Sequence, residues 1–292
     1  MKEEIVFKPL NYSEDELVQI VGLIRSSLDP EFTTDFFKWK HLENPFGKSY
    51  GLVAWSGDKI IGLRVFMFWE FIQENKKVLR SIRPVDTVVD SNFRGRGLFK
   101  KLTLQGLENC KGQYNFIFNT PNNNSLPGYL KMGWEKSKTV SNFRIGLINP
   151  FHLKPKLIKT DLETSPIFSH FGKNLETNKS LEYLRWRYVN SKYKIYSYEK
   201  GTIVFSLTRI KGIRGFIVYE LLGNEKHFND LLLTVAKEYN AYLVYYYNSK
   251  DLNNLRLLTS FDRKEAVVVL KENQSVSMEN INFSLGDLEG KL

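Results

Sequence analysis

Cysteine is nearly absent: Cys110 is the only one in 292 residues. No internal disulfide can form, so the chain reads as one made for a reducing compartment, most simply the cytoplasm. No apolar run approaches the ~18 residues of a membrane-spanning helix. The opening MKEEIVFKPL lacks the charged-then-apolar pattern of a secretion signal. Histidine is scarce too, and His41, His152, His170 and His227 stand at no ligand spacing, so no metal site is expected. Blocks of one charge are missing as well. The chain carries 42 Lys and Arg against 32 Asp and Glu, a net +10, but the lysines are scattered and no recognition helix stands out. Such a balance favours anionic partners in general, whether nucleic acid, anionic lipid or a phosphate-rich cofactor, and its scatter reads as a solvated surface.

Core material is plentiful, with 42% hydrophobic and 14% aromatic residues, enough for two cores. IVFKPLN reads as a strand. SEDELVQIVGLIRSSL reads as a helix capped by Ser13, with Leu17, Ile20, Val21 and Ile24 on one face. A short helix in TTDFFKWKHLENPFG stops at Asn44-Pro45, and two strands follow around a Ser-Gly-Asp turn. VLRSIRPVDTVVD is a long strand, and Leu98 to about Asn109 a helix. YNFIFNT is a strand, NNNSLPGYLKMGW a short helix or turn, and EKSKTVSNFRIGL a closing strand or hairpin. The order β-α-α-β-β-β-α-β-α-β predicts a mixed sheet with helices on its faces.

The second half repeats this order. Trp39 aligns with Trp186 and Lys40 with Arg187, each followed by two strands around a Gly turn. Then come the strand GFIVYELLG, the helix HFNDLLLTVAKEYN, the strand AYLVYYY, a short helix in DLNNLRLLTSF and the strand EAVVVL. Two tandem copies are expected, 1–148 and 149–292, with a boundary near Pro150. They differ after the long strand, where the first copy reads SNFRGRG and the second LLGNEKHF.

NFRGRGLFKKL lies between a strand and a helix, the context in which a glycine loop binds phosphate. Gly95 and Gly97 permit positive φ and close approach. Successive N–H groups from Arg94 to Leu98 form an anion nest, aided by the helix's positive end. Arg96, Lys100 and Lys101 supply charge. Cys110 reads as a small buried residue. Asp86 and Asp90 are acids in an otherwise apolar stretch, and Asp90 is placed to order the loop.

VVDSNFRGRGLFKKL resembles the acetyl-CoA motif of the GCN5-related N-acetyltransferase (GNAT) superfamily, Arg/Gln-x-x-Gly-x-Gly/Ala after a strand. Arg94 and Gly97 hold the first and fourth positions, and Phe99 stands where the family has Gly or Ala. NNNSLPGYLKMGW is similar to its second signature, with Asn122, Ser125, Tyr129, Gly133 and Trp134 in place. The resemblance implies α/β (α+β) architecture in two tandem GNAT-like domains, each a mixed, mostly antiparallel sheet flanked by helices. The second would be degenerate. It also implies acetyl-CoA as cosubstrate, bound by Val88, Val89, Arg94, Gly95, Arg96, Gly97, Leu98 and Asn122. The backbone N–H of Val88 or Val89 would serve as oxyanion donor, Tyr129 as the acid that protonates the leaving sulfur, and Asp86 as a base. Asn122 would bond the pantetheine arm or pin its loop.

The expected activity is N-acetyl transfer from acetyl-CoA to a small-molecule primary amine by direct attack, an amino sugar being one acceptor class suggested by analogy. The alternatives are an aminoacyl transferase of the peptidoglycan-bridge type using aminoacyl-tRNA, and a non-catalytic protein that binds acyl-CoA or nucleic acid. On the leading reading nucleic acid is not a partner, no metal is used, and a homo-oligomer is allowed.

Overall fold

In the computed structural model, which describes residues 4–73, 77–149, 174–249, 252, 255–272 and 281–289, the chain divides into two units. One gathers residues 1–71, 78–136 and 269–276, and the other 72–77, 137–268 and 277–292.

The first unit runs through β1 (Ile5–Pro9), α1 (Glu14–Ser27), α2 (Thr34–Leu42), β2 (Tyr50–Ser56), β3 (Lys59–Ile72), β4 (Val78–Val89), α3 (Leu98–Asn109), β5 (Phe116–Asn119), α4 (Leu126–Lys131) and β6 (Glu135–Lys136). The hydroxyls of Ser13 and Thr33 accept from the N–H groups of Glu16 and Phe36, so α1 and α2 each begin at a side-chain cap. Acidic residues follow in both first turns, at the positive end of the helix. The strands sort side chains by their two-residue period. Val53 packs with Leu17, Ile20 and Phe37 from α1 and α2, whereas its neighbours Leu52 and Ala54 pack with Leu98 and Leu102 of α3. The strand order is β1-β2-β3-β4-β5-β14-β6, where β14 is Val269–Glu272, from far along the chain.

The second unit contains β7 (Asn142–Leu147), β8 (Leu175–Thr177), α5 (Leu181–Arg187), β9 (Tyr193–Tyr198), β10 (Gly201–Ile210), β11 (Ile213–Gly223), α6 (Phe228–Glu238), β12 (Leu243–Tyr247), β13 (Thr259–Glu265), β15 (Ile281–Asn282) and α7 (Leu285–Leu288). Its sheet order is β13-β7-β12-β11-β10-β9, with Leu231, Leu232, Val235 and Ala236 of α6 packed on Ile203, Phe205, Phe216 and Val244. Both sheets are mixed and mostly antiparallel, with β4/β5 and β11/β12 as parallel pairs. Among the described residues no helix is long and apolar enough to cross a membrane.

Several strands depart from the sequence expectation. β7, which closes the first half in sequence, pairs with β12 and β13 in the second sheet. EAVVVL is not one strand: Glu265 ends β13, and Val269–Glu272 pairs with β5 and β6 in the first sheet. Thr259–Phe261, placed at the end of a short helix, lie in β13. Apolar alternation marks a strand but carries no label for the sheet it joins. Pro150, the expected boundary, lies outside the described residues.

Candidate active site

β4 and β5 pair only at Ser81–Phe116 and Ile82–Ile117. Just beyond stands Pro84, which has no N–H for a ladder. Then comes Asp86, whose φ of +45° is one that non-glycine residues seldom adopt. β4 continues to Val89 without β5, which ends at Asn119, leaving an open edge. The Asp90 N–H bonds Ile61 O on β3 at 2.9 Å. Peptide groups alternate edges along a strand, so Val88 also faces β3 and Val89 faces the open edge.

The loop at the end of β4 is set by Asp90. Its Oδ1 accepts from Asn92 N–H at 3.0 Å and its Oδ2 from Lys59 at 2.7 Å. The Lys59 hydrogen bond, with that of Asn92, holds this carboxyl below its ordinary value. A 3-10 turn, Ser91–Phe93, leads into Arg94–Gly97. Gly95 and Gly97 both have φ +76°, with nothing within 4 Å of where a Cβ would stand. The amides of Gly95, Arg96, Gly97 and Leu98 find no acceptor among the described residues. Arg94 and Arg96 are exposed and lean on Val89 O and Asn92 O at 3.3 and 3.4 Å. Bare N–H groups, two guanidinium groups and the positive end of α3 together fit a polyphosphate.

Tyr129 is buried, and its hydroxyl accepts from Asn119 Nδ2 and from Arg64 Nη2, each at 2.6 Å. Both bonds are received, so the phenol keeps its own proton to give. Arg64 Nη1 also donates to Thr87 Oγ1 on β4. Phe99 stands edge-on to Tyr129 at 5.7 Å. It does not crowd the glycine loop. The ring turns towards α4, where Gly128 leaves room: a Cβ there would lie 3.0 Å from it. Pro127 falls in the first turn of α4, where its missing N–H costs no helical bond.

Asp86 belongs to a different cluster. Its Oδ1 accepts from Lys40 Nζ at 2.9 Å, and its Oδ2 lies 2.7 Å from His41 Nε2. His41 Nδ1 is 3.0 Å from Ser49 Oγ. Burial holds His41 below its ordinary value, so it is neutral, with Nε2–H towards Asp86 and Nδ1 accepting from Ser49. Burial opposes ionisation of Asp86 too, but Lys40 and His41 outweigh it and hold the carboxyl well below the usual range.

The second unit holds a related cluster. Asp86 stands four residues before Asp90, and Glu220 four before Asn224, whose side chain caps a matching 3-10 turn. His41 is two residues after Trp39, and Tyr188 two after Trp186. Tyr188 donates to Glu220 at 2.7 Å, and Lys179 pairs with the other carboxylate oxygen. Here α6 starts at Phe228, directly after the turn, so Arg94–Gly97 has no counterpart. β11 and β12 also part early, at Ile217–Tyr245. The segment 281–289 packs against β11 there: Ser284 donates to Glu220 at 2.9 Å and Arg187 to Gly286 O at 3.1 Å. A Cβ on Gly286 would overlap the Tyr188 hydroxyl and Glu220.

Asn122 is exposed, and its Oδ1 accepts from the N–H groups of Asn124 and Ser125 at 3.1 and 3.0 Å, pinning the turn into α4. Burial pushes the Cys110 thiol up to about 12, so it is no nucleophile. His227 packs edge-on to Tyr198, and His152 and His170 lie outside the described residues. Sequence reasoning missed Arg64, Asn119, Lys40 and His41. Arg64 carried a signal, a lone cation within the apolar run IIGLRVFMF. The other three carried none.

A family model described as an acetyltransferase (GNAT) domain matches residues 9–137. A GCN5-related N-acetyltransferase from Anabaena variabilis is similar in structure, with TM-score 0.69 and 13% identity over 91% of this chain and 73% of that one. One from Kribbella flavida gives 0.68 and 14% over 92% and 71%. A putative acetyltransferase from Pyrococcus horikoshii gives 0.62 and 13% over 100% and 96%. At such identities the likeness is one of fold. No curated protein matches the sequence.

Proposed function

We propose that this chain, whose residues 9–137 match the model of a GNAT acetyltransferase domain, transfers an acetyl group from acetyl-CoA to a primary amine, with amino sugars the first acceptors to try. The observation that carries this reading is the open β4 edge, which ends in a loop of unpaired amides and has the proton-bearing Tyr129 hydroxyl on one face of the strand. When bound, the cosubstrate supplies an activated thioester.

The amides of Gly95–Leu98, with Arg94 and Arg96, hold its phosphates. The Val89 N–H, facing the open edge, donates to the thioester oxygen as charge develops there. Tyr129 gives its proton to the departing sulfur. For Asp86 the arrangement supports anchoring rather than proton abstraction. Both of its oxygens are engaged, its proton affinity is low, and the second unit keeps a counterpart without a phosphate loop. The C-terminal copy of the tandem reading, 149–292, is assigned a structural part, and the single buried thiol suits a cytoplasmic location.

Calorimetric titration of acetyl-CoA into the wild type and Gly97→Glu tests the reading. Micromolar binding by the wild type alone supports it. No binding by the wild type sinks it, and sends the basic surface to trials with tRNA and longer acyl-CoAs.

A further inference from the structure

Arg64 is among the most deeply buried side chains in the molecule, 1% exposed in the middle of β3. Among the described residues no carboxylate pairs with it. Among those residues its two terminal nitrogens meet only the hydroxyls of Thr87 and Tyr129, and its Nε finds no acceptor. The rest of its surroundings are ring faces: Phe99 at 5.2 Å, Tyr129 at 5.3 Å and Phe66 at 5.8 Å. A guanidinium does not shed its proton in a protein. A permanent charge thus sits in an apolar place with neutral partners, an arrangement that is costly unless an opposite charge arises beside it. One group within reach can become an anion in the course of acyl transfer, the Tyr129 phenol at 2.6 Å.

We propose that Arg64 is a positioning residue for Tyr129, matched to the phenolate that exists after proton transfer and not to the resting phenol. The inference rests on the acetyl-transfer reading. In the step concerned, the amine nitrogen bonds the acetyl carbon and the carbon–sulfur bond breaks. The sulfur takes the Tyr129 proton and leaves as a thiol, and the electron pair of the O–H bond stays on the Tyr129 oxygen beside Arg64. The proton lost by the amine nitrogen restores the phenol, through solvent, so the cycle closes without oxidant or metal. Because Arg64 pairs with a charge that appears only during the reaction, its effect falls on turnover and not on binding. Asn119 Nδ2 fixes the same oxygen from the β5 side, and Thr87 fixes Arg64 to β4, so the guanidinium cannot follow another partner.

The test is a double-mutant cycle in the full chain, with thiol release from acetyl-CoA measured against a panel of primary amines that includes hexosamines, and acetyl-CoA binding measured by calorimetry. Arg64→Met is expected to lower kcat by about 100-fold, the size of a lost acid, with acetyl-CoA affinity unchanged. Arg64→Lys should recover part of the loss. In a Tyr129→Phe background, Arg64→Met should cost nothing further, since the group it serves is gone. An additive loss in the double variant, or lost affinity at unchanged kcat, overturns the inference while leaving acetyl transfer standing. If Arg64→Met does not fold, Arg64→Lys takes its place, and its loss must likewise vanish beside Tyr129→Phe. A wild-type chain that neither binds acetyl-CoA nor releases thiol overturns the function and this inference with it.

Discussion

Tyr129→Phe keeps a buried ring and deletes one oxygen that two donors share. Two effects are expected and can be separated. Turnover falls by about 100-fold, within the range of general-acid contributions. Stability falls by about 2 kcal/mol because Arg64 and Asn119 lose their acceptor, read as a lower denaturation midpoint. Asp86 lends itself to a pH experiment. Its folded-state carboxyl lies below the ~3.9 of an unfolded aspartate, so its contribution is complete above about pH 4 and fades as pH falls further. His41 acts in the same direction: depressed by burial, it takes up a proton less readily folded than unfolded, and stability drops as pH falls below about 6.5. Asp86→Asn should lower stability by about 3 kcal/mol at pH 7, leaving Lys40 buried without its partner, and the gap to the wild type should narrow below pH 4. Urea denaturation at a series of pH values reads both. A variant as stable as the wild type, but with turnover lost, would restore Asp86 as the base.

At the level of elements, Phe99 and Gly128 form a size pair, one ring on α3 against one missing side chain on α4. Gly128→Val should push α4 off this ring and lower both turnover and stability, by about 1–3 kcal/mol, and Phe99→Ala in the same chain should restore most of the stability. Thermal denaturation of the three variants decides it. These elements were largely legible in the sequence. Ser13 and the apolar period announced α1, the four apolar positions of its face are all buried, and the glycine loop lies between β4 and α3 as its context predicted. The polar clusters beneath the loop were not legible. Lys40 and His41 reach Asp86 from positions 46 and 45 residues away, and polar residues on a helix are read by default as solvated. Asn119 differs from any strand-end asparagine only through the tyrosine it touches.

For the molecule as a whole, the second unit runs from its 3-10 turn straight into α6, with no counterpart of the four residues Arg94–Gly97. A carboxylate, Glu220, is held there by Lys179 and the Tyr188 hydroxyl, where Asp86 has Lys40 and His41, and segment 281–289 packs against β11 beyond its parting from β12. One acetyl-CoA per chain is therefore expected in calorimetry. Gly286→Ala, which sets a methyl against Tyr188 and Glu220, should lower the melting temperature without altering that stoichiometry. The order of elements after Trp186 was legible from its likeness to the stretch after Trp39. The destination of its strands was not, because β7 and β14 read like any other half-buried strands.

Those two strands have a consequence for how the chain comes apart. β7 lies between β12 and β13, and β14 between β5 and β6, so each half of the sequence lends an interior strand to the other's sheet. A chain nicked between Asn149 and Asn174 should accordingly behave as a non-covalent heterodimer, its fragments co-purifying and separating only on denaturation. Either fragment made alone should present an unfilled slot in its sheet, and recover solubility when the other is supplied in trans.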